Sequence, residues 1–428
     1  MTTATLNLPA DSRSLKRKDW AIISLIGAAH SCSHFFQLVL PTLYLSLGAE
    51  YGYDFVKLGF LASAFFLMSC IGQASSGFIV DRIGPAPVLR FGLSCFVVSG
   101  VLIGLSNGYA MLVLAALIGG VGNSVFHPVD YSIINHRVSS RRLGHAFSTH
   151  GLTGNLGWAL TPVFMAAIIH IANWRVAVFA AAGLVAVVLA LTWLGRDLLA
   201  GKNEELVADS GSAGEPAASP GLARQSVRQT LATLLVQPAL WGAFLFFAFT
   251  SMALSAVQNY TIPMLSGVYG IDKVLAGTAL SAYMVAAAAG MLAGGFLVGA
   301  TPNTERTVAV SLVLAGVLLV VLASGSVAPS FAIALVALAG FCSGVASPSR
   351  DMLIRRVTPK GATGTVYGLV YSGMDVGSSL APVGFGVLLD AGYNQGPWFG
   401  AAVGFVVAAF LAMWVARSAA RAAVPAVA

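Results

Sequence analysis

GFIVDRIGPAPVLR, residues 77–90, is a short polar break between two long apolar runs. Residues 55–80 before it and 91–118 after it are nearly free of charge. A helix needs roughly 20 apolar residues to cross the hydrocarbon core of a bilayer, and both runs are long enough. Asp81 and Arg82 therefore stand at a membrane surface, in a turn too short to hold a domain. Gly77 and Gly84 let backbones approach closely. Asp81 suits the positive N-terminus of a neighbouring helix, and Arg82 suits a carboxylate on an adjacent one.

Composition agrees with a lipid environment. Of 428 residues, 57% are hydrophobic and only 9% charged, against about 25% charged in a soluble chain. The net charge of +7 reports topology, and nucleic acid is not an expected partner. The first apolar run, 21–47, is too long for the core of a removable signal, so none is expected. Cys32, Cys70, Cys95 and Cys342 all lie in apolar runs, which argues against a disulfide framework. The chain has no Gly-x-x-x-x-Gly-Lys-[Ser/Thr] loop and no domain to carry one. ATP-driven transport is thereby excluded, and no cofactor is expected.

Twelve spans are predicted near 21–47, 55–80, 87–107, 109–136, 143–170, 174–195, 239–267, 273–299, 307–325, 330–355, 362–389 and 397–416. The fold class is all-α, two six-helix bundles of an integral membrane protein, residues 1–200 and 238–428. They are joined by a cytoplasmic linker, 201–237, rich in Gly, Ala, Ser and Pro. An even span count puts both termini on one side. Only Lys57, Arg175 and Lys273, of 23 Lys plus Arg, fall in loops on the other. The positive-inside rule makes the crowded side the cytoplasm, in a cell membrane expected to be a bacterial inner membrane.

The halves repeat. Pro128, Gly144, Gly157 and Pro162 recur 220 residues on as Pro348, Gly364, Gly377 and Pro382. Phe147 and Asn155 become Tyr367 and Asp375 in the same register, and Asp130 becomes Arg350. Tandem halves of this kind place binding sites near the midplane between them.

All seven histidines lie in the first half. His30, His34, Gln37 and Pro41 share one face of span one, since offsets of 0, 4, 7 and 11 align on a helix. His127 on span four and His150 on span five complete the candidate set. Three readings stay open for it: proton carriers titrating near pH ~6.5, transition-metal ligands, or neutral rings tying helices together. No Cys or carboxylate completes a recognisable ligand spacing, so no metal site is assigned. Charged groups inside spans are costly and mark function. Asp130, Arg350 and Asp375 are such groups, with Asp130 expected to pair with Arg82 or Arg350. Gln258, Asn259 and Tyr260 beside Pro263 are cavity-lining candidates on span seven, as is Tyr371 on span eleven.

Gly77-x-x-x-Asp81-Arg82-x-Gly84 resembles the signature loop between the second and third helices of the major facilitator superfamily of transporters. That family usually follows it with a basic pair, where this chain has Pro85 and Ala86. Within the superfamily, Gly122-Asn-Ser-Val-Phe-His-Pro128, His150-Gly-Leu-Thr-Gly-Asn155 and Leu160-Thr-Pro162 are similar to the fosmidomycin-resistance branch of drug exporters. His30, Gln37, Pro41 and Tyr44 add to that likeness. The branch commonly has an acid where this chain has His34, and a Glu after His-Pro where it has Val129. The resemblance implies a secondary transporter, not an enzyme, moving a small polar or anionic organic molecule by alternating access. It implies efflux coupled to proton entry, with a monomer expected in the lipid. Import of a small carboxylate or metabolite, and transition-metal transport through the histidines, are the alternatives.

Overall fold

The computed structural model describes residues 10–199, 237–301, 303–357 and 363–423. The linker expected at 201–237 lies outside them apart from Gln237, as do both chain ends. The described residues are all-helical. The first half comprises α1 (Ala10–Gln37), α2 (Val39–Thr42), α3 (Tyr44–Tyr51), α4 (Phe55–Ile83), α5 (Pro85–Gly104), α6 (Tyr109–Asn123), α7 (Phe126–Arg137), α8 (Leu143–Ile171), α9 (Trp174–Leu194) and α10 (Arg196–Leu199). The second comprises α11 (Pro238–Tyr269), α12 (Lys273–Ala300), α13 (Thr304–Ala323), α14 (Pro329–Val357), α15 (Thr363–Asp390) and α16 (Gly396–Ala423). Ten spans, with α6 and α7 taken as one, are long and apolar enough to cross a bilayer. The more polar α1–α3 stretch and α15 complete twelve.

Two predicted spans are broken, the first at Leu38 and again at Leu43 and the fourth at Ser124 and Val125, and proline accounts for the breaks at Leu38 and Ser124. Pro41 cannot donate to the carbonyl four residues back, and the first span is interrupted at Leu38. Pro128 likewise frees the Ser124 carbonyl, and the fourth span divides at Ser124 and Val125. The Ser76 hydroxyl donates to that carbonyl at 3.2 Å. The polar break of the opening stretch is shorter than the sequence suggests. Helix α4 continues through Asp81 and Arg82 to Ile83, and α5 starts at Pro85. Gly84 alone separates them, at φ +85°, a conformation that favours glycine.

Helix α1 packs on α8 in the first bundle, and α5 on α6 and α9. In the second, α11 packs on α15 and α16, and α12 on α14. The repeat extends to the helix ends. Gly52 and Gly270 are both left-handed C-caps. Asp54 and Asp272 both accept a backbone N–H at the start of the next helix. Large apolar side chains such as Phe60, Phe296 and Phe410 point outward, as a lipid-facing surface requires.

The bundles meet along α4 with α15 and α8 with α12. At the Phe55 end, Phe55 and Val56 donate their backbone N–H groups to the two oxygens of Asp390 at 2.9 and 2.8 Å. Tyr44 donates to Asn259 Oδ1 at 2.9 Å, and Val163 N–H to Ser281 Oγ at 3.2 Å. Gly59 fits against Tyr260 and Pro382, and Gly386 against the Phe55 backbone. Side chains at those two glycines would force the bundles apart.

Candidate functional site

The first bundle holds a buried cluster around one carboxylate. Asp130, on α7, is fully buried. His150 Nε2, from α8, lies 3.1 Å from Asp130 Oδ2 in hydrogen-bond geometry. His30 Nδ1, from α1, lies 2.9 Å from the same oxygen, although its ring N–H direction misses it. The His30 and His150 rings stack with centroids 3.5 Å apart. His34 and His127 stand 4.6 and 5.5 Å from His30, at steeper ring angles. The four histidines singled out in the sequence thus share one pocket.

The partners of the acid differ from expectation. Asp130 pairs with neither Arg82 nor Arg350, because its helix turns it inward to α1 and α8 of its own bundle. Arg82 is exposed at the end of α4. Arg350 bonds its sequence neighbour Asp351 at 2.9 Å and lies 5.1 Å over the Phe247 ring.

A second polar chain runs beside the histidines. Trp158 Nε1 donates to Gln37 Oε1 at 2.8 Å, and Gln37 Nε2 donates to Asn123 Oδ1 at 3.0 Å. Ser33 donates to the same Asn123 oxygen at 2.8 Å, and Asn123 Nδ2 donates to Ser69 at 2.8 Å. The chain ties α8, α1, α6 and α4 together and joins the histidines where Trp158 packs 4.2 Å from His34. Gln37 was a sequence candidate. Asn123, Ser33, Ser69 and Trp158 were not, although Asn123 falls within the Gly122–Pro128 motif.

The remaining candidates are dispersed. Asn155 donates to the Gly151 carbonyl of its own helix at 3.0 Å and has no hydrogen bond to Asp130 among the described residues. In the second bundle, Asn259 accepts from Tyr44 and donates to Ser255. Tyr260 donates to the Pro382 carbonyl. Gln258 is buried, and its Nε2 has no partner among the described residues. Tyr371 packs 4.6 Å from Phe247, and its hydroxyl is 3.4 Å from Asp351. Asp375 is half-buried, with no ion pair among the described residues. Gly77 faces open space. The Asp81 side chain lies outside the described residues. Proximity inside the bundle brings one ring nitrogen each of His30, His34 and His127 within 4.8 Å of one another, a grouping that linear spacing did not reveal.

At the end of the first bundle opposite Phe55, Asp19 is buried and accepts from Arg142 at 2.7 Å and Ser139 Oγ at 2.6 Å. Arg137 donates to the carbonyls of Asp197 and Leu198, tying α7 to α10. These contacts fix the frame in which α7 presents Asp130 and His127.

Known proteins place this architecture. The fosmidomycin resistance protein of Escherichia coli (strain K12) is 32% identical over 182 residues, 42% of this chain and 44% of that protein. A probable L-galactonate transporter of the same strain is 23% identical over 418 residues, 92% of this chain and 89% of that one. The fold is shared with a crystal structure of a bacterial homologue of the human lysosomal transporter Spinster. The TM-score is 0.74 at 14% identity, covering 94% of this chain and 98% of that one. The Major Facilitator Superfamily profile matches residues 25–326 and, overlapping, 248–427, nearly the whole length. With twelve spans among the described residues, in two repeated halves, this multi-pass membrane protein is a transporter and belongs to the Major Facilitator Superfamily.

Proposed function

We propose that the protein moves a small polar or anionic organic molecule by alternating access, exporting it against proton entry. The observation that carries this is the buried Asp130 carboxylate with imidazoles of His30 and His150 at 2.9 and 3.1 Å. A carboxylate with two imidazoles at one oxygen offers three basic groups over which one added proton can be shared, and that proton neutralises the buried acid. Residues 1–200 and 238–428 are the two moving bodies, with 201–237 linking them. Gln37, His127, Asn155, Gln258, Asn259, Tyr260, Arg350, Tyr371 and Asp375 border the route, and Gly77, Asp81, Arg82 and Gly84 form a gate. The positive-inside distribution supports a cytoplasmic location for both termini, in a bacterial inner membrane. The contacts at the Phe55 end support a conformer closed to the outside. The relative with the Spinster-like fold carries an inward-facing description, in the same sense.

In proteoliposomes, Asp130→Asn should keep substrate exchange but lose at least tenfold in accumulation driven by a pH gradient. Loss of both modes together would make Asp130 structural. Full gradient-driven transport in Asp130→Asn, His30→Gln and His127→Gln would leave Asp375 as the coupling group.

A second reading is uptake of a small organic acid. It is favoured by the near full-length similarity to the probable L-galactonate transporter and by Arg350, whose guanidinium suits a carboxylate. Accumulation of labelled sugar acids by intact cells, abolished in Arg350→Gln, would select it.

A further inference from the structure

Three histidines in the first bundle have a geometry that proton exchange at Asp130 does not use. His30 turns its two ring nitrogens to different neighbours. Nδ1 lies against Asp130. Nε2 lies 3.0 Å from the point a Cβ on Gly154 would occupy, and His34 Nε2 lies 3.1 Å from that same point. Both nitrogens therefore converge over the bare backbone of Gly154. The His34 ring is only half-buried, yet both its nitrogens are covered and have no hydrogen-bond partner among the described residues. An unsatisfied buried polar group costs about 1–3 kcal/mol, so the bundle keeps His34 at a cost that a ligand would offset. His127 is half-buried, contacts other rings, and has no hydrogen bond among the described residues.

We propose that His30, His34 and His127 bind one divalent transition-metal ion of the zinc, cobalt or nickel class, with Asp130 behind His30. One nitrogen from each ring already lies within 4.8 Å of the others. Tetrahedral ligands about 2.1 Å from an ion stand about 3.4 Å apart, so the rings close by roughly an ångström on binding. The alternative trio of His30, Asp130 and His150 suits a metal less well. Its rings stack with planes 25° apart. An ion bound in the plane of one lies well out of the plane of the other. The planes of His34 and His127 stand at 56° and 69° to His30, which lets three lone pairs meet. Imidazole donors select this metal class over calcium or magnesium. A carboxylate behind a ligating histidine is the usual outer partner in such sites, and Asp130 Oδ2 lies 2.9 Å from His30 Nδ1, within reach once the ring turns its N–H toward it. The partial exposure of His127 leaves one side of the ion open to water or to a substrate oxygen. This assignment goes beyond the transport reading and is tested without transport.

The test titrates the purified full-length protein in detergent with Co²⁺, whose ligand-field absorption reports its coordination, and then with Zn²⁺ in competition. The expected result is one Co²⁺ per chain, displaced by Zn²⁺. His34→Ala should abolish the absorption, and His127→Ala should weaken binding at least tenfold. Gly154→Ala keeps every ligand but fills the space under them, and should also weaken binding at least tenfold. His170→Gln, remote from the cluster, should bind as the wild type does. Should His34→Ala fail to yield a monodisperse protein, Gly154→Ala decides. Absence of a one-to-one complex in the wild type overturns the assignment, and so does unchanged binding in both His34→Ala and Gly154→Ala. Loss of the metal site would leave proton coupling at Asp130 standing, because gradient-driven transport is measured in metal-free buffer.

Discussion

Asp130 and Arg350 stand 220 residues apart at matching places in the two bundles, yet each charge is handled differently. The frames around them agree. Gly157 of α8 lies against the Ser31 carbonyl of α1, and Gly377 of α15 lies against the Ala248 carbonyl of α11. His30 and Phe247 are the residues immediately before those two carbonyls. The pair His30 with Asp130 in one bundle thus corresponds to Phe247 with Arg350 in the other. An acid is met by a ring that can take a proton, and a cation by the face of a ring that cannot. The glycine beneath the histidines, Gly154, corresponds to Met374. The repeat preserves the glycine packing in both halves. It sets titratable rings beside an acid in the first half and a phenyl ring beneath an arginine in the second.

Exchanging the two rings is the sharpest way to break this comparison. His30→Phe removes one partner of a buried carboxylate and should cost about 2–3 kcal/mol of stability, read as a lowered Tm in detergent. Phe247→His should cost only about 1 kcal/mol, since Arg350 keeps Asp351 and loses a cation–π contact. Equal losses would show that the halves do not treat their charges differently. The two ends of the α4–α15 seam offer an intermediate effect. Asp390→Asn weakens charge-assisted bonds to Phe55 and Val56 and should raise labelling of single cysteines at the Phe55 end about 5- to 30-fold, from about 1–2 kcal/mol. Asp81→Asn should raise it at the opposite end, where Asp81 and Arg82 are proposed to form the gate. Labelling that moves the same way in both variants would deny them opposing roles.

The smallest effect contrasts the buried acid with an exposed one. The hydrogen bond from Arg175, then that from Trp174, holds Glu50 below the ordinary carboxylate range. Its folded-state pKa is below its unfolded one. Its stabilisation is therefore complete above the unfolded value of about 4.3 and is lost as pH falls through the folded one. Because the pair is more than a third exposed, it contributes under about 1 kcal/mol. Glu50→Gln should lower Tm slightly at pH 7, with the difference shrinking below pH ~4. A pH-independent difference would assign the loss to packing.

The twelve spans and the repeat were legible because they rest on hydropathy and spacing, both local in the sequence. Spacing also aligned His30 with His34 on one helix face, but that His127 and His150 come to the same place depends on which helices adjoin, and spacing does not give that. Three things were not. The breaks at Leu38 and Ser124 follow from prolines three or four residues downstream, whose effect on the backbone hydropathy does not register. The chain through Ser33, Ser69 and Asn123 uses small polar residues that read as packing positions until their helices are adjacent. Arg350 seemed to need a distant acid, because successive residues on a helix do not face each other. Its long side chain bends back to Asp351 regardless.

The way α4 begins has a consequence for watching the protein at work. The first amides of a helix have no acceptor within it. At this start, Lys57 N–H goes to Asp54 of the same bundle, while Phe55 and Val56 go to Asp390 of the other. Parting of the bundles hands those two amides to water in exchange for the carboxylate, at a net cost of about 1–2 kcal/mol. The same two hydrogens then form a built-in clock. Their exchange with deuterium runs only while that end stands open, and the ratio of their rate to that of Lys57 reads the open fraction with no label attached.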